Sequence, residues 1–256
     1  MKEIAAELGY RSGLLFVART LAMFALAVLC ANACQLLVRH VWGSTYPVLH
    51  AGSWALWFWW QGYVFPRARE RYLASAQNSA YAIAFYRQIW PGVSIGVSHM
   101  TLPVISSLAH PSSDSPIAIA AGVVLAGAGA AMMWAGFRTI GFAQAGFVSE
   151  YRTVSASMSS RSIYGVMRHP LFVGGALLSC GGVFLLGAHS AELWLAAINL
   201  LILPVYRLVE DRRLTRVFGL EYAAYSSRVG GILPRRVHMA EAFALLADTR
   251  PVARQH

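Results

Sequence analysis

The sequence predicts an all-α, polytopic membrane protein with about six membrane helices, the last two a tight hairpin followed by a cytoplasmic helix. Three observations carry this. Of the 256 residues, 57% are hydrophobic and only 12% charged, whereas a soluble domain carries about 25% charged residues and uses them to cover its surface. Several apolar runs reach the roughly 20 residues a helix needs to cross a bilayer. Basic residues collect in alternate connections between those runs, as the preference for positive charge on the cytoplasmic side requires.

The runs follow in order. The first covers 13–38 and contains Arg19. The second, 47–65, is rich in aromatics, with Trp54, Trp57, Trp59 and Trp60. The third, 80–108, carries Arg87 and a Pro at 91, where a kink is expected. The fourth, 116–137, is packed with Ala and Gly, which let helices approach closely. The fifth and sixth, 171–188 and 191–208, are joined by a connection too short for anything but an antiparallel hairpin.

Lys2 and Arg11 precede the first run, and Arg67, Arg69 and Arg71 follow the second. Arg138, Arg152, Arg161 and Arg168 follow the fourth, and Arg212, Arg213, Arg216, Arg228, Arg235 and Arg236 the sixth. The connections between hold Arg39 alone or no basic residue, so both termini are expected in the cytoplasm. Ala31, Asn32 and Ala33 resemble a signal-peptide cleavage site, but the apolar run is too long and holds Arg19, so a retained span is expected. Charges within spans are costly and often functional; Arg19 can also snorkel from a helix end. No internal repeat is visible. The expected organisation is one integrated membrane domain: four N-terminal spans in 1–137, a cofactor-site unit in 138–240, and a tail in 241–256.

The formal net charge is +10, and all but one of the 21 basic residues are Arg. They flank apolar runs and form no basic domain, so nucleic acid is not an expected partner and the lipid bilayer is. Such Arg bias, a mark of GC-rich coding, points to a bacterial inner membrane. Cys30, Cys34 and Cys180 sit inside apolar runs with no metal-ligand spacing, so no metal site is expected.

Chemistry concentrates in two strings around the hairpin. The first runs from Tyr164 through Arg168, His169, Pro170, Leu171 and Phe172 to Gly174. Pro170 suits the first turn of a helix, which leaves His169 at the helix mouth, where free N–H groups and the dipole attract an anion. Arg168 adds a guanidinium, so the pair suits a carboxylate or phosphate, or simply the lipid headgroups. The second string holds Arg207, Glu210, Asp211, Phe218, Gly219, Glu221, Tyr222 and Tyr225, and a Val229–Pro234 turn closes it. Arg207 and Glu210 share one helical face. The Glu210–Asp211 pair suits a cation, or a salt-bridged solvated helix. The hairpin returns Glu210 to the face that carries His169, so an anion-binding and a cation-binding group face each other, as a zwitterionic amino-acid moiety requires.

These two strings, in this order around a hairpin over about 160–234, resemble the isoprenylcysteine carboxyl methyltransferases and the related phospholipid methyltransferases. The resemblance implies S-adenosyl-L-methionine in a cytoplasm-facing pocket. Tyr164, His169, Pro170, Leu171 and Phe172 fall on cofactor-contacting positions. Glu210 falls near the cofactor's amino-acid end, and Arg207 on a position associated with a hydrophobic or lipid-linked methyl acceptor. Arg168 and Arg207 are the candidate catalytic residues. Phe172 stands where Tyr is common, Asp211 replaces a second Glu, and 156–159 lacks the His pattern of the eukaryotic prenylcysteine enzymes. Tyr222 and Tyr225 match the pattern as packing residues.

Methyl transfer from a sulfonium is an in-line displacement that needs the reacting atoms about 3 Å apart. Arg207 would orient an anionic acceptor, Tyr164 or Phe172 would face the sulfonium, and Glu210 or Asp211 would take a proton from an amine or thiol. A sterol-type NADPH reductase shares the Arg-His-Pro string, though Leu171 and Phe172 replace its usual Asn-Tyr. A non-enzymatic transporter or assembly protein is the alternative of another class.

Overall fold

The computed structural model describes residues 2–9, 13–76, 79–108, 115–151, 160–187 and 190–235. Among these the chain is helical, with no strand beyond one isolated parallel bridge between Met167 and Gly230. A short helix α1 (Lys2–Glu7) leads to α2 (Gly13–Trp42). The chain reverses at Gly43, whose φ of 52° is left-handed and favours glycine. Tyr46, at the start of α3 (Tyr46–Trp59), then reaches back to donate its hydroxyl to Gln35 Oε1 at 3.0 Å. Residues 11 apart in one straight helix would lie about 16 Å apart.

α3 runs through a π turn (Trp60–Val64) into α4 (Phe65–Ser75). α5 (Ala80–Ala84) likewise runs through a π turn (Phe85–Ile89) into α6 (Trp90–Ser107). Pro66 follows the first π turn and Pro91 the second. Proline offers no N–H to the carbonyl four residues back, so the helix widens by one residue just before it. The kink expected at Pro91 is therefore a π turn, and the helix that carries Arg87 begins at Ala80, as the run does. The two π turns touch, Trp60 Nε1 donating to Gln88 Oε1 at 2.8 Å.

α7 (Pro116–Ala145) begins with Ser115 as N-cap, its Oγ accepting from Ala118 N at 3.4 Å. It runs beyond the expected end at 137, with a break at Gly141 (φ 71°, ψ 168°). Much of the described chain between the fourth and fifth runs is thus helical: the last turns of α7, then α8 (Val148–Tyr151) and α9 (Ile163–Val166). Residues 152–159, which include the 156–159 stretch, fall outside the described residues, as does the tail 241–256.

The hairpin pairs α10 (Pro170–Leu186) with α11 (Ser190–Leu201). The expected sixth span is two helices: after Ile202 the chain restarts, with Pro204 in the first turn, as α12 (Leu203–Phe218), followed by α13 (Leu220–Arg228). Three stretches are long and apolar enough to cross a membrane: Leu14–Ser75, which contains the reversal at Gly43, Pro116–Phe142 and Ser190–Phe218. Pro170–Leu186 is a shorter apolar helix. Leu14, Leu21, Leu26 and Leu29 on α2, and Ile117 and Val124 on α7, are exposed. So much apolar surface needs lipid as its solvent, and the chain is an integral membrane protein.

Packing follows from small residues. α7 and α10 meet at glycines: a Cβ on Gly129 would lie 2.5 Å from Gly174 O, and one on Gly181 would lie 2.4 Å from Ala126 N. Backbones that close gain dispersion contacts no larger residue would permit. Elsewhere polar groups join the helices. Asn199 on α11 donates to His99 O at 3.2 Å and to Ser179 Oγ at 3.3 Å, while its Oδ1 accepts from Trp54 Nε1 at 2.9 Å. Each bond satisfies a buried group that lipid would leave unpaired. The effect is to hold α3, α6, α10 and α11 as one body beneath the site.

Candidate active site

The first string folds as the sequence leads one to expect. Pro170 opens α10, and His169 is its N-cap with no side-chain cap bond. What fixes the string is the closing turn of the second one. Arg168 N donates to both Gly230 O (2.9 Å) and Gly231 O (3.1 Å), beside the Met167–Gly230 bridge. Gly231 leaves room for Arg207: a Cβ there would lie 2.6 Å from Arg207 Cδ.

Asp211 gathers the surrounding donors. His169 Nε2 lies 2.9 Å from Oδ1, Arg168 Nη1 lies 3.1 Å from Oδ2, and Arg207 Nε lies 3.4 Å from Oδ2. Tyr222 donates its hydroxyl to Oδ1. Burial and the Asp211 carboxylate together push the Tyr222 hydroxyl up, so it stays a donor. The sequence left Arg168 and His169 to a carboxylate or phosphate, or to the lipid headgroups; Asp211 supplies both with a carboxylate from within the chain. Of the Glu210–Asp211 pair, read from sequence as suiting a cation or a salt-bridged helix, Asp211 meets these donors while Glu210 points elsewhere.

Glu210 is held by Arg213, one turn further along α12. Arg213 Nε donates to Oε2 at 2.9 Å, and Nη2 donates to Oε1. Gln61 Nε2, from the first π turn, adds a bond to Oε2 at 2.9 Å. The remaining guanidinium nitrogen, Nη1, donates to Glu150 on α8. Arg213 also lies over the Phe147 ring, 4.7 Å from its centroid. Phe147 has a φ of 64°, rare for a bulky residue. That turn carries the chain from α7 into α8 and places both Phe147 and Glu150 against Arg213.

Glu150 is 5% exposed, and its Oε2 is buried without a hydrogen-bond partner. Burial pushes its carboxyl above the usual carboxylate range, more than the Arg213 guanidinium pulls it down. The carbonyl of the same residue accepts from Arg69 Nε at 2.8 Å, which anchors α8 to α4.

These groups surround a partly open cavity. Tyr164, Arg168, His169, Leu171, Phe172 and Glu210 line it, together with Glu150, Arg213, Phe147 and Tyr206. Phe172 and Tyr206 stack in parallel, centroids 3.6 Å apart, as one aromatic wall. Of the candidate site residues read from sequence, Pro170, Arg207 and Asp211 are not in the lining. Pro170 is buried at the helix start. The Arg207 side chain is 46% exposed and lies along the Gly231 turn, where it positions Asp211. Tyr225 donates to Tyr164 O at 2.8 Å, so α13 fixes the cavity wall as well as packing against it. Sequence reasoning missed Glu150, Arg213, Gln61, Phe147 and Tyr206 as site residues. Arg213 and Tyr206 had a signal, lying i+3 and i−4 from Glu210 on α12; Gln61, Phe147 and Glu150 are brought in from elsewhere in the chain.

Fold and site define a helical membrane protein with a charged, aromatic-walled cavity at the end of a helical hairpin. Residues 117–221, from α7 into α13, match the family model described as phospholipid methyltransferase. The match contains both motif strings up to Glu221 and reaches back to include Glu150, so the resemblance read from the motifs holds over this stretch. Comparisons with curated proteins and with solved structures returned no match.

Proposed function

We propose that the protein transfers a methyl group from S-adenosyl-L-methionine to a hydrophobic or lipid-linked acceptor at the cytoplasmic surface of a bacterial inner membrane, with both termini on that side. The observation that carries this is the donor set of the cavity. S-Adenosylmethionine brings a carboxylate, an ammonium, a sulfonium and a flat adenine. Arg168 Nε is buried without an acceptor, which suits a carboxylate. Glu210 offers anionic charge to an ammonium, as the resemblance implies. Phe172, Tyr206 and Tyr164 offer aromatic faces to a sulfonium or a base. The group fits the residues present.

When bound, the cofactor supplies an electrophilic methyl carbon. The chain's own part is to bind and orient. Gln61 and Arg213 fix the Glu210 carboxylate, and the bonds from Arg168 N to the 230–231 carbonyls fix the first string. The apolar lining at Ile140, Leu171, Leu214 and Phe218 keeps water sparse and suits an apolar tail. The test is to incubate the detergent-purified protein with methyl-labelled S-adenosylmethionine and a bacterial lipid extract. Label is expected in an organic-extractable product. Label in no product, with NADPH consumed instead, would move the protein to the reductase class.

A further inference from the structure

Glu210 and Asp211, the proton acceptors the sequence suggested, both have their oxygens engaged. Glu210 is bonded by Arg213 and Gln61, and Asp211 by Arg168, His169, Arg207 and Tyr222. Glu150 differs. It lines the same cavity, only its Oε1 meets Arg213, and its Oε2 is buried with no partner. A buried carboxylate oxygen left bare is costly unless a ligand completes it.

Resting on the methyltransferase reading, we propose that Glu150 is the catalytic base of this site, taking the proton from an acceptor whose nucleophilic atom arrives protonated, an ammonium or a thiol rather than a carboxylate. The charged groups that face Glu150 are Arg213 and Glu210 from α12 and Arg69 from α4. Arg69 is bonded to the Glu150 carbonyl and leaves Oε2 free. Arg213 is shared with Glu210, so two carboxylates divide one guanidinium between them. Burial raises the Glu150 carboxyl above the usual carboxylate range, which makes its anion a stronger base than an exposed carboxylate. A carboxylate acceptor needs no base and would meet two carboxylates in this cavity with like charge.

The step balances. The acceptor's proton passes to Glu150 Oε2, freeing a lone pair on nitrogen or sulfur. That lone pair forms the bond to the methyl carbon as the methyl–sulfonium bond breaks, its electron pair remaining on sulfur. The proton then leaves Glu150 through the open side of the cavity.

The experiment uses the full chain in detergent with saturating S-adenosylmethionine and three acceptors of equal tail length: decylamine, decanethiol and decanoate. Methylation of the amine or the thiol, and not of decanoate, is expected. The rate should rise with pH along an acidic limb as Glu150 loses its proton. Glu150→Gln should remove that limb and lower kcat by about a hundredfold or more, while cofactor affinity measured by calorimetry changes by less than about threefold, on the order of 0.6 kcal/mol. In Glu150→Ala, added formate should restore part of the rate, which a structural role would not allow. Glu150→Asp, which keeps the charge should the other variants fold poorly, should retain the limb at reduced rate. Transfer to decanoate alone or to none of the three overturns the assignment. So does a Glu150→Gln enzyme with wild-type rate and pH profile, or a Glu150→Asp enzyme without the limb. If wild type binds no S-adenosylmethionine, the methyltransferase reading itself fails, a distinct result.

Discussion

Arg213 grips Glu210 by two nitrogens, Nε standing 2.9 Å from Oε2, and spends its third on Glu150. One guanidinium thus ties α12 to α8 around the cavity floor. Removing one partner of a buried ion pair costs about 3–5 kcal/mol, because the other charge stays buried and unpaired. Arg213→Ala should therefore lower the melting temperature of the detergent-solubilised protein sharply. Arg213→Lys, with a point charge in place of the fork, should recover only part of it. Equal melting of wild type and Arg213→Ala would show the pair contributes nothing.

Asp211 is the second junction. Asp211→Asn removes the charge that Arg168 and His169 meet and turns one acceptor oxygen into a donor. Hydrogen bonds to charged groups are worth about 1.5–3 kcal/mol each, so a loss within or above that range is expected in a chemical denaturation series. Arg207→Ala, at the exposed edge of the same cluster, should cost well under half as much. The reverse order would contradict the placement of Asp211 at the centre.

The glycine contact between α7 and α10 makes a packing prediction with an internal control. Gly181→Ala drives a methyl to within 2.4 Å of Ala126 N, whereas Gly175→Ala, on the same helix, meets nothing within 4 Å. The first should destabilise by about 1–3 kcal/mol or more. The second should be neutral or stabilise by up to about 1 kcal/mol through helix propensity. Thermal melting of the two purified variants side by side checks both.

The aromatic wall is expected to act on a cation. An aromatic face is worth about 0.5–2 kcal/mol to a cation, or roughly two- to thirtyfold in affinity. Phe172→Leu should therefore weaken S-adenosylmethionine by that factor, with less effect on uncharged S-adenosylhomocysteine. Equal loss for the two ligands in competitive calorimetry would reduce Phe172 to a packing residue.

The sequence made the helical membrane class and the hairpin plain, because composition, apolar run length and the placement of Arg are local properties. It also placed most of the cavity's first string, since Arg168, His169 and Pro170 are adjacent and their helix start is written in the proline. Partner choice was less legible. Whether Arg168 faces a ligand or Asp211 depends on how α12 lies against α10, which no spacing along the chain encodes. Gln61 and Glu150 enter from α3–α4 and from the turn at Phe147, and each reads in isolation as an ordinary polar residue near a membrane boundary. The helix boundaries moved for a related reason: Gly141 breaks the backbone of α7 without ending the helix.

The most direct test is calorimetric binding of S-adenosylmethionine and, in parallel, NADPH to the detergent-purified protein and to Glu210→Gln, with folding checked by melting. Saturable binding of S-adenosylmethionine by wild type is expected, weakened at least about tenfold in the variant, or ~1.4 kcal/mol, with no binding of NADPH. Binding of NADPH alone, or of neither ligand by folded wild-type protein, would contradict the assignment of this cavity to methyl transfer.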